Sequence, residues 1–181
     1  EDTLSLHDAL PIYGLVGYWP FNGNANDESG NGNNGTVNGA TLTTDRFGNA
    51  SSAYSFDGVN DYIEAYPSLL TQNYCFSAWV NLDQQVLGGN FIFSNIGSST
   101  FYQGRELRVD GNLLTSVVGG QLSWTHIYSS PVIVYGSWIF LSVTADGSNL
   151  KIYFNSQLVG QGAIQTINPG VQTYRFGTRD L

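Results

Sequence analysis

The sequence predicts an all-β protein, a two-sheet antiparallel β-sandwich, and three observations carry that prediction. Short runs of period-two alternation, rich in Tyr, Phe, Trp, Val and Ile, recur along the 181 residues with turn residues between them. The chain holds 22 Gly, 11 Tyr, 10 Phe and 4 Trp but no Met, which suits pleated, half-buried strands better than long helices. No segment sustains a 3.6-residue apolar period. Without helices to cross over between parallel strands, two antiparallel sheets packed face to face are the expected arrangement.

The first predicted strand, Leu15 to Phe21, is apolar and aromatic and runs straight into a loop of Asn, Asp, Ser and Gly. Ala53 to Phe56 and Tyr62 to Tyr66 follow, separated by Asp57-Gly58 and Asp61, a reversal in which the Asp residues cap backbone donors. Cys75 to Leu82 places Phe76, Ala78 and Val80 on one face and Cys75, Ser77 and Trp79 on the other. Bulk on both faces predicts a central strand, with Cys75 and Trp79 buried. Phe91 to Asn95 and Glu106 to Val109 come next, and Asp110-Gly111 turns the chain into Leu113 to Val118. Ser137 to Thr144 and Leu150 to Phe154 are joined by Asp146-Gly147, again a tight reversal with Gly at positive φ. Gln157 to Val159 and Tyr174 to Phe176 complete the set.

The length suits one domain with a sizeable core. Residues 1–12, EDTLSLHDALPI, match neither the strands downstream nor a capped helix, and Pro11 breaks the segment before the first strand. They read as a leader foreign to the domain, adapter-derived or a linker, which leaves residues 13–181 as the domain. The charge is lopsided, 14 acidic residues against 6 basic, net −8. There is therefore no basic stripe for nucleic acid or for an anionic membrane face. No run approaches the roughly 18 apolar residues of a membrane helix. Cys75 is the single cysteine, so no intrachain disulfide and no ordinary zinc site can form. Acidic, Asn- and Gly-rich chains with little Lys are usual among extracellular bacterial modules, so the expected location is secreted or attached to a cell surface.

Two places carry candidate binding chemistry. In the loop from Asn22 to Asn34, Asp27 supplies a formal charge, and Asn31 and Asn33 can add side-chain or carbonyl oxygens. Ser29 and Gly30 shape the curl. Converging oxygens are what Ca²⁺ takes; the alternative is an Asx-turn loop in which Asp27 and Asn31 satisfy backbone N–H groups. The second place is QLSWTHIYSS, where alternation puts Trp124, His126 and Tyr128 on one side of a strand. Aromatic faces beside polar groups are how sugars are recognised, so these three are the candidate glycan platform, against the alternative of an edge-strand hydrophobic stripe. Trp19, Trp79 and Trp138 read as core, and Arg46 with Asp45 as a turn contact. Catalysis lacks its residues. Glu106 and Asp110 share a face but lie four residues apart, roughly 13 Å along a strand, too far for a glycosidase pair. His126 has no Ser or Cys motif beside it.

The segments LVGYWPFNGNANDESGNGNNGTV, DRFGNASSAYSFDGVNDYIE, FSAWV, GSWIFLSVTADGSNLKIYFNSQLV and YRFGT together resemble the laminin G-like, concanavalin A-like lectin/glucanase jelly-roll domains of bacterial secreted and surface proteins. The likeness spans Leu15 to Thr178. It implies a jelly roll, a calcium ligand at Asp27 with neighbouring backbone carbonyls, and a closing strand beside the first that this chain does not reach before Asp180-Leu181. It also implies a non-catalytic carbohydrate-binding or adhesion module of a larger protein, with a glycan or surface polysaccharide as partner. A protein-binding adhesive module is the alternative, and a glucanase-like hydrolase a weaker one.

Overall fold

The structure, a computed structural model, describes residues 14–67, 72–83, 90–95, 104–119, 123–130, 133–166 and 173–177. Among these residues there are strands and no helix: β1 (Thr36–Asn38), β2 (Thr41–Thr43), β3 (Ala53–Ser55), β4 (Tyr62–Ala65), β5 (Asn73–Asn81), β6 (Asn90–Ser94) and β7 (Arg105–Asp110). They continue as β8 (Leu113–Gly119), β9 (Trp124–Tyr128), β10 (Trp138–Asp146), β11 (Asn149–Phe154), β12 (Gln157–Ala163) and β13 (Tyr174–Phe176). All pair antiparallel. A seven-stranded sheet runs β1-β4-β13-β6-β7-β8-β9, a four-stranded sheet runs β12-β11-β10-β5, and β2 with β3 forms a separate ribbon. The all-β sandwich expected from alternation and turn spacing is the architecture found.

The turns work as their residues require. Asp57 Oδ1 accepts the N–H groups of Val59, Asn60 and Asp61, and Asp146 Oδ1 accepts those of Ser148 and Asn149. Asp110 and Asp146 are each followed by a Gly at positive φ. Between the sheets, Leu107, Leu114, Leu141, Val143, Leu150 and Ile152 are almost fully buried. An aromatic column crosses the core: Phe93 stacks on Phe76 at 4.2 Å and lies 6.0 Å from Tyr174, with Phe176 beyond Phe76 at 6.4 Å. Arg105 is fully buried at one end of this core, its guanidinium 4.9 Å from the centre of the Tyr74 ring. The sheets meet closely along β9 and β12. A Cβ added at Gly160 would lie 2.6 Å from Tyr128 O, and Ser130 N–H donates to Val159 O at 2.9 Å.

Four sequence expectations need correction. Leu15 to Phe21 joins no ladder. Its backbone groups are taken by the polar loop that follows, so side chains stand where a neighbouring strand was expected. Trp79 points outward and is 43% exposed, and Cys75 is exposed on the same face. The inner face of β5 consists of buried Tyr74 with Phe76, Ala78 and Val80 packed against the core. β5 is not central; it is the end strand of the four-stranded sheet. Bulk on both faces misled because the outer bulk is covered locally, by Phe140 and by Arg46 from the β2–β3 loop, not by a second layer. Trp19 and Trp138 are only partly buried. The leader over residues 1–12 and the chain's end at Asp180-Leu181 lie outside the described residues.

Candidate functional site

β9 forms the edge of the seven-stranded sheet and pairs only with β8, with Gly119 opposite Trp124, Val117 opposite His126 and Thr115 opposite Tyr128. Ile127 is its buried, inward residue; Trp124, His126 and Tyr128 fall on the outer face, as alternation predicts. Tyr128 is 55% exposed and His126 is exposed, their rings nearly parallel at 20° with centroids 6.1 Å apart. Trp124 is partly buried at the start of the strand. The three residues thus form one aromatic margin. Burial, the positive Arg108 nearby and, against them, Asp110 leave the His126 imidazole below its ordinary pKa, so it is neutral near pH 7 and offers both a donor and an acceptor.

The link to Arg108 lies in the sheet register. Arg108 stands opposite Thr115, and Thr115 opposite Tyr128, so β7 presents its polar row to the same outer face. There Arg108 Nη1 lies 2.9 Å from Glu106 Oε1 and Arg108 Nε donates to Asp110 Oδ2 at 2.8 Å. A guanidinium therefore stands between the two carboxylates whose spacing the sequence reading weighed for catalysis. Glu106, Thr115 and Val117 point away from the core cluster yet are buried, so the middle of this face is sheltered and β9 is its open rim. Arg108 is the residue that sequence reasoning overlooked. The parity that groups Glu106 with Asp110 puts Arg108 between them, so the signal was present.

The other candidate, the hook after the first apolar segment, brings Asp27, Asn31 and Asn33 together. Asp27 is buried. Its Oδ1 accepts N–H from Tyr18 and from Ser29, each at 2.9 Å, and its Oδ2 accepts N–H from Asn33 at 2.9 Å. Burial works against the charge. The hydrogen bonds from Ser29, Tyr18 and Asn33 outweigh it and hold the carboxyl below its ordinary range. Asn31 Nδ2 donates to Leu15 O at 2.9 Å and Asn33 Nδ2 to Val16 O at 2.8 Å, while Trp19 Nε1 donates to Asn33 O at 2.9 Å. These contacts replace a ladder for the segment 15–21. An open depression of about 400 Å³ lies beside them, lined by Gly14, Leu15, Val16, Asn31, Asn33 and Tyr66.

Calcium takes six to eight oxygens. Here N–H groups surround Asp27, and side-chain amide nitrogens, not oxygens, meet the carbonyls of Leu15 and Val16. Among the described residues, no group of three or more His, Cys, Asp or Glu side chains converges. The residues as arranged do not fit the ion. They satisfy one another, as the Asx-turn alternative requires.

Comparison with known proteins gives a consistent picture. A family model described as the concanavalin A-like lectin/glucanases superfamily, laminin G type, matches residues 56–178, well over half of the chain. Comparison with the curated proteins finds no match. Among solved structures, the binding domain of botulinum neurotoxin DC in complex with SialylT superposes with a TM-score of 0.70 at 18% identity, over 86% of this chain and 40% of that one. Botulinum neurotoxin type C, whose cell entry is described as dependent on interaction with two ganglioside molecules, gives 0.72 at 17% identity, over 92% and 43%. The DC binding domain in complex with rat synaptotagmin II gives 0.67 at 17% identity, over 86% and 41%. The chain spans about two fifths of each of those chains, and at such identities the likeness is one of fold. Among the described residues no helix is long and apolar enough to cross a membrane.

Proposed function

Because the chain belongs to the concanavalin A-like lectin/glucanases superfamily, in its laminin G type, we propose that it is a non-catalytic recognition module holding a glycan against the outer face of the seven-stranded sheet, along β9. One observation carries this reading: Trp124, His126 and Tyr128 share the open rim of a face whose floor holds the Glu106–Arg108–Asp110 clamp. Rings receive the CH face of a pyranose, while a neutral imidazole and the partly exposed Arg108 and Asp110 receive its hydroxyls. The glycan-binding neighbours support this choice of ligand.

Arg108 supports binding rather than hydrolysis on this face. A retaining glycosidase needs its two carboxyl groups about 5–5.5 Å apart and an inverting one about 6.5–9.5 Å, with sugar or water between them. Here Glu106 and Asp110 are both ion-paired with Arg108, which ties up each carboxylate. The hook braces the edge of the domain through Asp27 and its amide partners, so calcium has no part in the recognition step. An ion would have to displace those N–H groups, and EDTA is expected to leave both glycan binding and Tm unchanged. The acidic balance, net −8, supports a secreted or surface-attached setting within a larger bacterial protein and disfavours nucleic acid as a partner.

A glycan array followed by calorimetric titration tests the reading. Trp124→Ala and Tyr128→Ala should each weaken the strongest hit about tenfold or more, and a hit that binds both variants as tightly as the parent chain removes the platform. The second reading is a protein-binding adhesive module, favoured by the neighbour that binds synaptotagmin II. Calcium-independent capture of a protein with no sugar signal would replace the first reading with this one.

A further inference from the structure

The β2–β3 loop builds a different constellation on the opposite sheet. Asp45 with Arg46 was expected to make a turn contact, and Asp45 makes it without Arg46. Asp45 is taken by the loop itself: its Oδ1 accepts the N–H groups of Phe47 and Asn49 at 2.8 and 2.9 Å, and its Oδ2 accepts Asn49 Nδ2 at 3.0 Å. Arg46 turns the other way. Its guanidinium carbon lies 4.1 Å from the centre of the Phe47 ring and 4.4 Å from that of Trp79, so the cation packs against two aromatic rings. Among the described residues it makes no ion pair. Phe47 is 72% exposed and Trp79 43%. Phe140 backs Trp79 at 5.3 Å, and Ser77, Asn81 and Ser142 share the same outer face.

Arg46 packs on two rings and is itself exposed, so its N–H donors are within reach of a ligand. The edge of a guanidinium is a planar fork of N–H donors, the shape that takes a carboxylate through two parallel hydrogen bonds, and contact with two rings restricts its position before any ligand arrives. The rings are also far more exposed than a core contact requires, and exposed aromatic faces are what a sugar ring stacks on. We propose that Arg46, packed against Phe47 and Trp79, anchors a second binding site that takes a carboxylate-bearing sugar, a uronic acid within an acidic polysaccharide. The carboxylate docks on the fork, and the pyranose lies against Trp79 or Phe47. In a chain of net −8 most of the surface repels such a polymer, so binding is local and single-point. An acidic peptide offers the same carboxylate but no flat CH face for the rings, which is why sugar is the occupant argued for.

The site is independent of the β9 rim and is tested apart from it. Tri-galacturonate is titrated into the parent chain, alongside its fully methyl-esterified counterpart and a tri-glutamate peptide, and the acidic sugar is also titrated into Arg46→Gln, Arg46→Lys and Tyr128→Ala. The acidic trimer is expected to bind at least tenfold more tightly than its ester. Arg46→Gln should lose at least tenfold and Arg46→Lys a smaller amount, since it keeps the charge and loses the fork. Tyr128→Ala should bind as the parent does, and raised salt should weaken all ionic binding. The ester comparison needs no variant to fold. Equal binding of acid and ester, equal binding by Arg46→Gln, or absence of binding at millimolar trimer would overturn the proposal. So would a glutamate peptide as tight as the sugar, which would make the site a reader of protein charge. Loss in Tyr128→Ala with none in Arg46→Gln would move the acidic sugar to β9 and leave the function proposed above standing.

Discussion

Replacing Asp27 with Asn isolates the claim that the hook is held by hydrogen bonds. The substitution keeps size and one carbonyl oxygen, which can still accept from Tyr18 and Ser29, but it sets an amide NH₂ against the N–H of Asn33, donor facing donor. Hydrogen bonds to a charged group contribute about 1.5–3 kcal/mol each, and a donor left unsatisfied costs about 1–3 kcal/mol. The loop is partly wet, so the loss is discounted to about 2 kcal/mol for Asp27→Asn and about 3 kcal/mol for Asp27→Ala. For a chain of this size each kcal/mol shifts Tm by roughly 2–4 °C, giving falls of about 4–8 °C and 6–12 °C. Thermal unfolding by circular dichroism, run in EDTA and again in millimolar CaCl₂, reads both the cost and its cause. A parent Tm that rises with calcium, combined with variants indifferent to it, would refute the reasoning, because a cation and not the amides would then organise Asp27.

Three further expectations follow from packing and charge. Phe93→Ala empties a site flanked by Phe76 and Tyr174 and should cost about 3–5 kcal/mol, whereas Trp79→Ala, on the outer face, should cost about 1 kcal/mol or less; equal costs in denaturant titration would put Trp79 back in the core. Gly160→Ala drives a methyl group against Tyr128 O and Ser129, so it should lower Tm by several degrees and disturb the β9 rim; a variant with unchanged amide spectra around Tyr128 would contradict the close approach of the sheets. Acid should destabilise the fold through two groups. The Asp27 carboxyl is depressed when folded, so its contribution is present above its unfolded pKa and is lost as pH falls through the folded value; His126 is also depressed, so below about pH 6.5 the unfolded chain takes up a proton first and is favoured. Stability that rose between pH 7 and pH 4 would be the wrong sign.

Strand existence was legible in the sequence because alternation and Asp-Gly punctuation are local signals. β4, β5, β7, β8, β10 and β11 fall where those signals put them, within a residue or two at their ends. Leu15 to Phe21 has the same local signal and forms no strand, because pairing is decided by which backbone groups come to lie beside it, and here Asn31 and Asn33 side chains arrive first. β1 and β2 were missed for the converse reason: TVN and TLT are too short to show a period, and β1 owes its state to β4 alongside. At the candidate site, the outward face of Trp124, His126 and Tyr128 was readable from parity. Their company was not, since Arg108 comes to lie in one row with Tyr128 only through the register of β7 on β8 and β8 on β9. Arg46 was least legible of all, because its partner Trp79 lies on a different sheet element and nothing local distinguishes it from an ordinary turn cation.

The proposed function requires that ligand be held at the β9 rim. A proton–nitrogen NMR titration of the whole chain with a glycan selected by array reports on that directly, because the Trp124 indole and His126 imidazole signals can be followed individually. The expected result is a saturable shift of both, together with the amides of Thr115 and Tyr128, at the affinity measured by calorimetry. A glycan that binds with that affinity while those signals stay fixed and the shifts gather elsewhere would contradict it.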